Sequence, residues 1–161
     1  MAPVSQAVLD GLNLGIQAEL AAYVFYMKGR KVTNDKRLKD LLGRLAAEEK
    51  DHYRILEHQY DNLVRSEMWV AYNDIMLKPG LPNMEEKMEN IHDEYIDELS
   101  NQTSAMRILE IALMLEERAR DFYEDLAEKA GDPKGKDMFN YLSRFESGHV
   151  VKIQRMLKEI S

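Results

Sequence analysis

Apolar residues recur three and four positions apart in four long runs of this 161-residue chain, and no stretch shows the apolar–polar alternation of a half-buried strand. The pattern predicts helices. Proline is scarce within the runs, whereas the good helix formers Ala, Leu, Glu, Lys and Met are abundant. The first helix is expected from the N-cap Ser5 to about Lys31, with Leu9, Leu12, Ile16, Tyr23 and Tyr26 on one stripe. The second is expected from about Asp35, carrying Leu38, Leu42, Leu45, Leu56 and Leu63 on its inner face. A third, from about Ser104 to Ala130, buries Leu109, Ala112, Ala119, Tyr123 and Leu126 and ends at Gly131, a residue suited to a left-handed cap. Asp132-Pro133 then supplies the N-cap and first position of a fourth helix, whose inner face holds Met138, Leu142, Phe145, Ile153, Met156 and Ile160.

Connection lengths order these helices. Short links make each sequential pair an antiparallel hairpin, whereas a connection of about 35 to 40 residues separates the second helix from the third, broken by Lys78-Pro79-Gly80-Leu81-Pro82-Asn83. That length spans a bundle end to end. Met84, Met88, Ile91, Tyr95 and Leu99 predict an amphipathic helix within it, which packs on the bundle or forms a dimer contact. The expected architecture is one all-α domain over residues 1–161, a four-helix bundle with one hairpin at about 5–64, a crossover at 65–103 and a second hairpin at about 104–161.

Composition narrows the function. The net charge is −7, and no stripe of Lys and Arg exists to track a phosphate backbone, so no nucleic-acid partner is expected. Cysteine is absent, which removes disulfides, thiol catalysis, zinc ribbons and iron–sulfur clusters. Any metal must be held by His, Asp or Glu. The amino terminus Met-Ala-Pro-Val-Ser-Gln carries no basic segment ahead of an apolar run, and about 18 apolar residues never occur uninterrupted. No membrane association and a cytoplasmic location are therefore expected.

Sliding the sequence against itself reveals an internal repeat at an offset of 97 residues, without gaps. Eleven pairs coincide: Leu12/Leu109, Glu19/Glu116, Ala22/Ala119, Phe25/Phe122, Tyr26/Tyr123, Asp35/Asp132, Lys39/Lys136, Asp40/Asp137, Leu45/Leu142, Glu49/Glu146 and His52/His149. Chance gives roughly three, at ~6% identity per position. Repeated Leu would show only that both halves are amphipathic, but each copy also carries a Glu and, 30 residues on, Glu-x-x-His.

Residues three apart on a helix differ by about 60° around its axis, so Glu49 with His52, and Glu146 with His149, share a face. That face is the apolar one. Glu49 and His52 fall between Leu45 and Leu56, Glu146 and His149 between Leu142 and Ile153, Glu19 between Ile16 and Tyr23, and Glu116 between Ala112 and Ala119. Four buried carboxylates are prohibitive as bare charges and repel one another. Two divalent cations balance them, and the mixture of oxygen and imidazole donors suits iron or manganese. One Glu from each of two helices and Glu-x-x-His from each of the other two is a ligand set by which four-helix bundles hold a pair of metals.

The same residues resemble the rubrerythrin and ferritin-like superfamily over roughly residues 5–64 and 104–161. Residues Gly15 to Tyr26 and Ala112 to Tyr123 look like the family's Glu-x-x-Ala-x-x-Phe-Tyr helix, and Ala47 to His52 and Phe145 to His149 look like its Glu-x-x-His helix. The resemblance implies a ferritin-like bundle in which Glu49 and Glu146 bridge two metals, most often iron, while Glu19 with His52 and Glu116 with His149 are terminal ligands. Manganese or a mixed Mn/Fe pair is the alternative. Three departures qualify it. No cysteine-rich rubredoxin module is present, Ala22 and Ala119 stand where rubrerythrins place an extra carboxylate, and the chain ends soon after the fourth helix, without the fifth that ferritin cages use.

The resemblance implies redox chemistry toward hydrogen peroxide or dioxygen, a rubrerythrin-like peroxidase served by an external rubredoxin-like electron donor, in a homodimer. The alternatives are a ferroxidase and a metal-storing or metal-buffering bundle. Tyr26 and Tyr123, two turns beyond Glu19 and Glu116, are placed to hydrogen-bond ligand carboxylates, to pass an electron, or simply to fill the core. His58 and His92 lack inward partners at ligand spacing and are expected at the surface. Gly148, beside His149, weakens the fourth helix slightly and leaves room for another backbone or a small oxidant.

Overall fold

The computed structural model describes residues 5–66, 68–76 and 91–161, and these form an all-α, ferritin-like helical bundle with no strand among them. Among the described residues six helices occur, in the order α1 (Gln6–Val32), α2 (Lys36–Ser66), α3 (Tyr72–Met76), α4 (Glu94–Glu98), α5 (Ala105–Lys129) and α6 (Pro133–Ile160). The N-caps are those the sequence marks. Ser5 accepts from the Val8 N–H, Asp35 from Leu38, Ser104 from Arg107, and Asp132, directly before Pro133, from Lys134. Each satisfies one of the amide donors that a helix start leaves without a partner.

The core consists of two apolar clusters. One gathers the C-terminal half of α1 (Leu20 to Tyr26), the N-terminal half of α2 (Leu38 to Ala46), Ile96, the start of α5 (Ile108 to Ala112) and Ile153 of α6. The other joins Leu12 of α1, Ile55, Leu56 and Leu63 of α2, Ile75 of α3, Tyr123 and Ala127 of α5, and Met138 to Leu142 of α6. This partition fixes the directions: α1 runs with α6 and against α2 and α5, so the crossover must travel the length of the bundle. Buried Gln59 anchors its beginning, donating to the Val70 carbonyl at 2.5 Å and accepting from the Val70 N–H at 2.8 Å, while Arg54 donates to the Ile75 carbonyl at 2.6 Å. Lys28 holds its end, donating to the Ile96 carbonyl at 2.7 Å.

Three expectations need correction. Gly131 does not adopt a left-handed backbone; α5 ends instead at an extended Ala130, whose N–H returns to the Leu126 carbonyl at 2.9 Å. The amphipathic crossover helix contracts, within the described residues, to the five-residue α4, with Ile96 and Leu99 buried, while Met84 and Met88 lie outside the described residues. His92 is exposed and pairs with Asp97 at 3.1 Å, as a surface residue does, but His58 is half-buried. Helix α3 was not signalled by any periodicity, because five residues are too few to show one. Among the described residues no helix is long and apolar enough to cross a membrane.

Two glycines of α6 generate opposite predictions. A Cβ at exposed Gly148 meets nothing within 4 Å, so Gly148→Ala is expected to stabilise the chain by about 1 kcal/mol and raise Tm by about 2–4 °C in thermal denaturation. A Cβ at Gly135 falls 2.9 Å from the Trp69 ring, which packs edge-on against Phe139. Gly135→Ala is therefore expected to lower Tm despite the better helix propensity, and to red-shift the emission of this sole tryptophan as its ring is displaced.

Candidate metal centre

Along each long helix, the polar residues of the predicted ligand set fall at the junction between the two apolar clusters. Glu19 precedes Leu20 to Tyr26, Glu49 and His52 separate Ala46 from Ile55, Glu116 follows Ala112, and Glu146 with His149 separates Leu142 from Ile153. All six are at most 2% exposed. Ridge-forming Leu and Ile above and below hold the four helices at packing distance, and the carboxylates and imidazoles are thereby forced into one layer.

Within that layer the ligand atoms converge into two sets. Glu19, Glu49, His52 and Glu146 bring one ligand atom each to within 4.8 Å of one another, and Glu49, Glu116, Glu146 and His149 do the same. Glu49 and Glu146 belong to both sets. The His52 Nδ1 lies 2.8 Å from Glu146, 3.7 Å from Glu19 and 3.8 Å from Glu49; the His149 Nδ1 lies 3.1 Å from Glu49, 3.2 Å from Glu116 and 3.3 Å from Glu146. The two rings sit 6.2 Å apart and nearly parallel.

These close approaches do not have hydrogen-bond geometry. Both oxygens of Glu146, one oxygen each of Glu19, Glu49 and Glu116, and the Nδ1 atoms of both histidines are buried without a hydrogen-bond partner. Orphaned acceptors on this scale are rare in native cores, and lone pairs aimed at a common point are what a cation requires. The donor set of four carboxylates and two imidazoles fits a pair of divalent ions in charge and in chemistry.

Electrostatics of the bare protein point the same way. Burial first, and then the neighbouring Glu49 carboxylate, push Glu19 up to about 8, against the opposing pull of His52. Burial draws His52 and His149 down, but the carboxylates around them override it: Glu146, Glu19 and Glu49 raise His52 well above its ordinary value, and Glu146, Glu48 and Glu49 raise His149 to about 12. In the bare protein, protons do the neutralising that cations would do.

The tyrosines behave in a way that spacing alone does not reveal. Tyr123 of α5 donates to Glu19 of α1 at 2.5 Å, and Tyr26 of α1 donates to Glu116 of α5. Each tyrosine therefore grips the glutamate of the opposite hairpin, not the one seven residues before it. Burial, then the surrounding carboxylates, hold both phenols well above their usual range, so they remain protonated donors. Each clamp engages one carboxylate oxygen and leaves the other buried without a hydrogen-bond partner.

Two further contacts at the site escaped the sequence reading, which placed Phe145 on the inner face of the fourth helix without a role beside the histidines. Glu48 on α2, half-buried, bonds the outer Nε2 of His149 across the bundle, and this contact lowers the Glu48 pKa below the usual carboxylate value. Phe145 on α6 stands edge-on to both imidazoles, 4.7 Å from His52 and 5.2 Å from His149. No spacing rule marks Glu48, because a residue next to a ligand on a helix points about 100° away from it. A cavity of about 380 Å³ lies beside α1 and α5, lined mostly by apolar residues such as Leu14, Ala22, Ala119 and Phe122, with Asp93, Arg118 and the carboxylates of Glu19, Glu49 and Glu116 also in its lining.

Comparison with protein families finds that residues 107–161, the part of the chain holding Glu116, Tyr123, Glu146 and His149, match the rubrerythrin family model. This supports the resemblance to the rubrerythrin and ferritin-like superfamily. Neither the curated proteins nor the solved structures gave a match.

A pH prediction follows from the raised groups. Glu19, with a folded value of about 8 against 4.5, contributes stability that is complete below 4.5 and is lost as pH rises through about 8. The contributions of His52 and His149 run in the same direction, being complete below 6.5 and lost only at higher pH. Chelator-treated protein is therefore expected to lose thermal stability as pH rises from about 5 to about 9, and Glu19→Gln to flatten that slope, both read by Tm in circular dichroism.

Proposed function

We propose that this chain is a non-haem di-iron protein that reacts with hydrogen peroxide or dioxygen and is re-reduced by a separate one-electron carrier. The single observation that carries this reading is the pair of four-residue clusters sharing Glu49 and Glu146, a donor set that would suit two adjacent cations with those two carboxylates common to both. Glu19 with His52, and Glu116 with His149, are the terminal ligands on this reading. Held by these six residues, a pair of ferrous ions would supply the two electrons that, with two protons, reduce one hydrogen peroxide to two waters.

The chain's own residues explain what such a site needs. Tyr26 and Tyr123 hold the terminal carboxylates through hydrogen bonds, which fixes ligand orientation before any oxidant arrives. Phe145, Tyr141 and Tyr72 form an aromatic wall on the imidazole side, with Tyr72 stacked on Tyr141 at 4.2 Å. The cavity between α1 and α5 reaches the carboxylate side through apolar walls, where alanines at 22 and 119 leave space that a longer side chain would fill. Small uncharged oxidants pass such walls at little desolvation cost, whereas bulk water gains little by entering.

The absence of additional acidic side chains at Ala22 and Ala119 also favours a second reading, a ferroxidase in which ferrous ion is the substrate. The two are separable. Metal-free protein loaded anaerobically with two equivalents of Fe(II) and mixed with hydrogen peroxide is expected to oxidise the iron far faster than buffer does; oxidation at the buffer rate sinks the di-iron redox reading. A ferroxidase continues past two equivalents of added Fe(II) under dioxygen, whereas the peroxidase stops until a reductant is supplied. Ala119→Phe, which narrows the cavity, is expected to slow that oxidation at least tenfold while iron content per chain, measured by elemental analysis, stays unchanged.

A further inference from the structure

The six ligand positions match pair by pair at a spacing of 97 residues, but what stands behind the two imidazoles does not. Glu48 precedes one bridging glutamate; the residue 97 positions later, preceding the other, is Phe145. Each histidine turns its Nδ1 toward the carboxylates, so each Nε2 faces outward. The His149 Nε2 meets the Glu48 carboxylate. The His52 Nε2 is buried without a hydrogen-bond partner, with the Phe145 ring perpendicular to the imidazole at 4.7 Å and Tyr141 at 6.4 Å.

This difference matters once Nδ1 is the ligating atom. A neutral imidazole that gives its Nδ1 lone pair to a metal must carry its proton on Nε2. For His149 that N–H has a charged acceptor in Glu48, which fixes the tautomer, holds the ring and strengthens its donation. For His52 the same N–H is left buried against an aromatic ring, so ligation strands a polar group out of reach of water. Loss of such an outer partner typically weakens metal binding 10–100-fold.

We propose that the two metal positions are unequal: the one formed by Glu116 and His149 binds tightly and fills first, because Glu48 positions His149, and the one formed by Glu19 and His52 binds weakly and exchanges. Glu48 is thus a positioning residue, and Phe145 is the determinant that keeps the second position labile. The inference rests on the two-metal reading of the site but not on any activity. It gives the centre a resident ion and a mobile one.

Anaerobic titration of the metal-free full chain with Co(II), followed by visible absorption and calorimetry, tests it. The expected result is two resolved steps of one ion each, with dissociation constants at least tenfold apart. Glu48→Leu should weaken the tighter step by about 10–100-fold and leave the weaker one in place, and Glu48→Gln, which keeps an acceptor but loses the charge, should fall between. Phe145→Glu supplies His52 with the acceptor it lacks and should strengthen the weaker step about tenfold or more. Circular dichroism checks folding, and if Phe145→Glu does not fold, the two Glu48 variants decide. Two equal sites in the unmodified chain, or equal weakening of both steps by Glu48→Leu, overturns the proposal while leaving the di-metal reading intact. Failure to bind two ions per chain overturns both.

Discussion

Four carboxylates in a single layer of a helical core are the constraint on which the rest of this structure depends. Glu19, Glu49, Glu116 and Glu146 are almost fully buried. A bare carboxylate moved into such surroundings costs several kcal/mol even after relaxation, and four of them within a few ångströms add mutual repulsion. Among the described residues, the cationic groups that lie against them are His52 and His149. A fold that keeps this layer needs compensating charge, and the convergence of unpartnered oxygens and Nδ1 atoms shows where that charge would reside.

The remainder of the fold holds that layer flat. Apolar clusters on both sides supply the burial that drives folding, so the acidic layer can sit between them without destroying the core. The tyrosine clamps run from α1 to α5 in both directions, tying the two hairpins together at the level of the ligands. Gln59, Arg54 and Lys28 fasten Val70, Ile75 and Ile96, in the described parts of the crossover, to α2 and α1.

Much of this was legible in the sequence, for identifiable reasons. Helices, caps and the buried cluster of four glutamates and two histidines follow from periodicity, local capping chemistry and fixed i, i+3 geometry, all of which are properties of neighbouring residues. What escaped depends on how helices are placed against one another. Tyr123 pairs with Glu19 rather than Glu116 because α1 and α5 run antiparallel with their ligand faces opposed, and nothing within either segment states that. Glu48 sits one residue from a ligand on a different face, and becomes relevant only because α6 brings His149 past it. Gly131 fits a left-handed cap by type, yet Ala130 already ends α5 in an extended conformation that leads directly into the Asp132-Pro133 start.

The centre also has two unlike sides, and this follows from the same helix placement. On the imidazole side, His52 and His149 are covered by Phe145, with Tyr141 beside them, leaving each ring about 1% exposed. On the carboxylate side, Glu19, Glu49 and Glu116 form the floor of a cavity whose walls are mostly Leu, Ala and Phe. Asp93 and Arg118 also line this cavity, so the space beside the oxygen donors is mostly apolar but carries charge of both signs. On the proposed reading, the small residues on α1 and α5 that leave space beside the buried carboxylates would set which oxidant fits, more than the metal-binding side chains themselves.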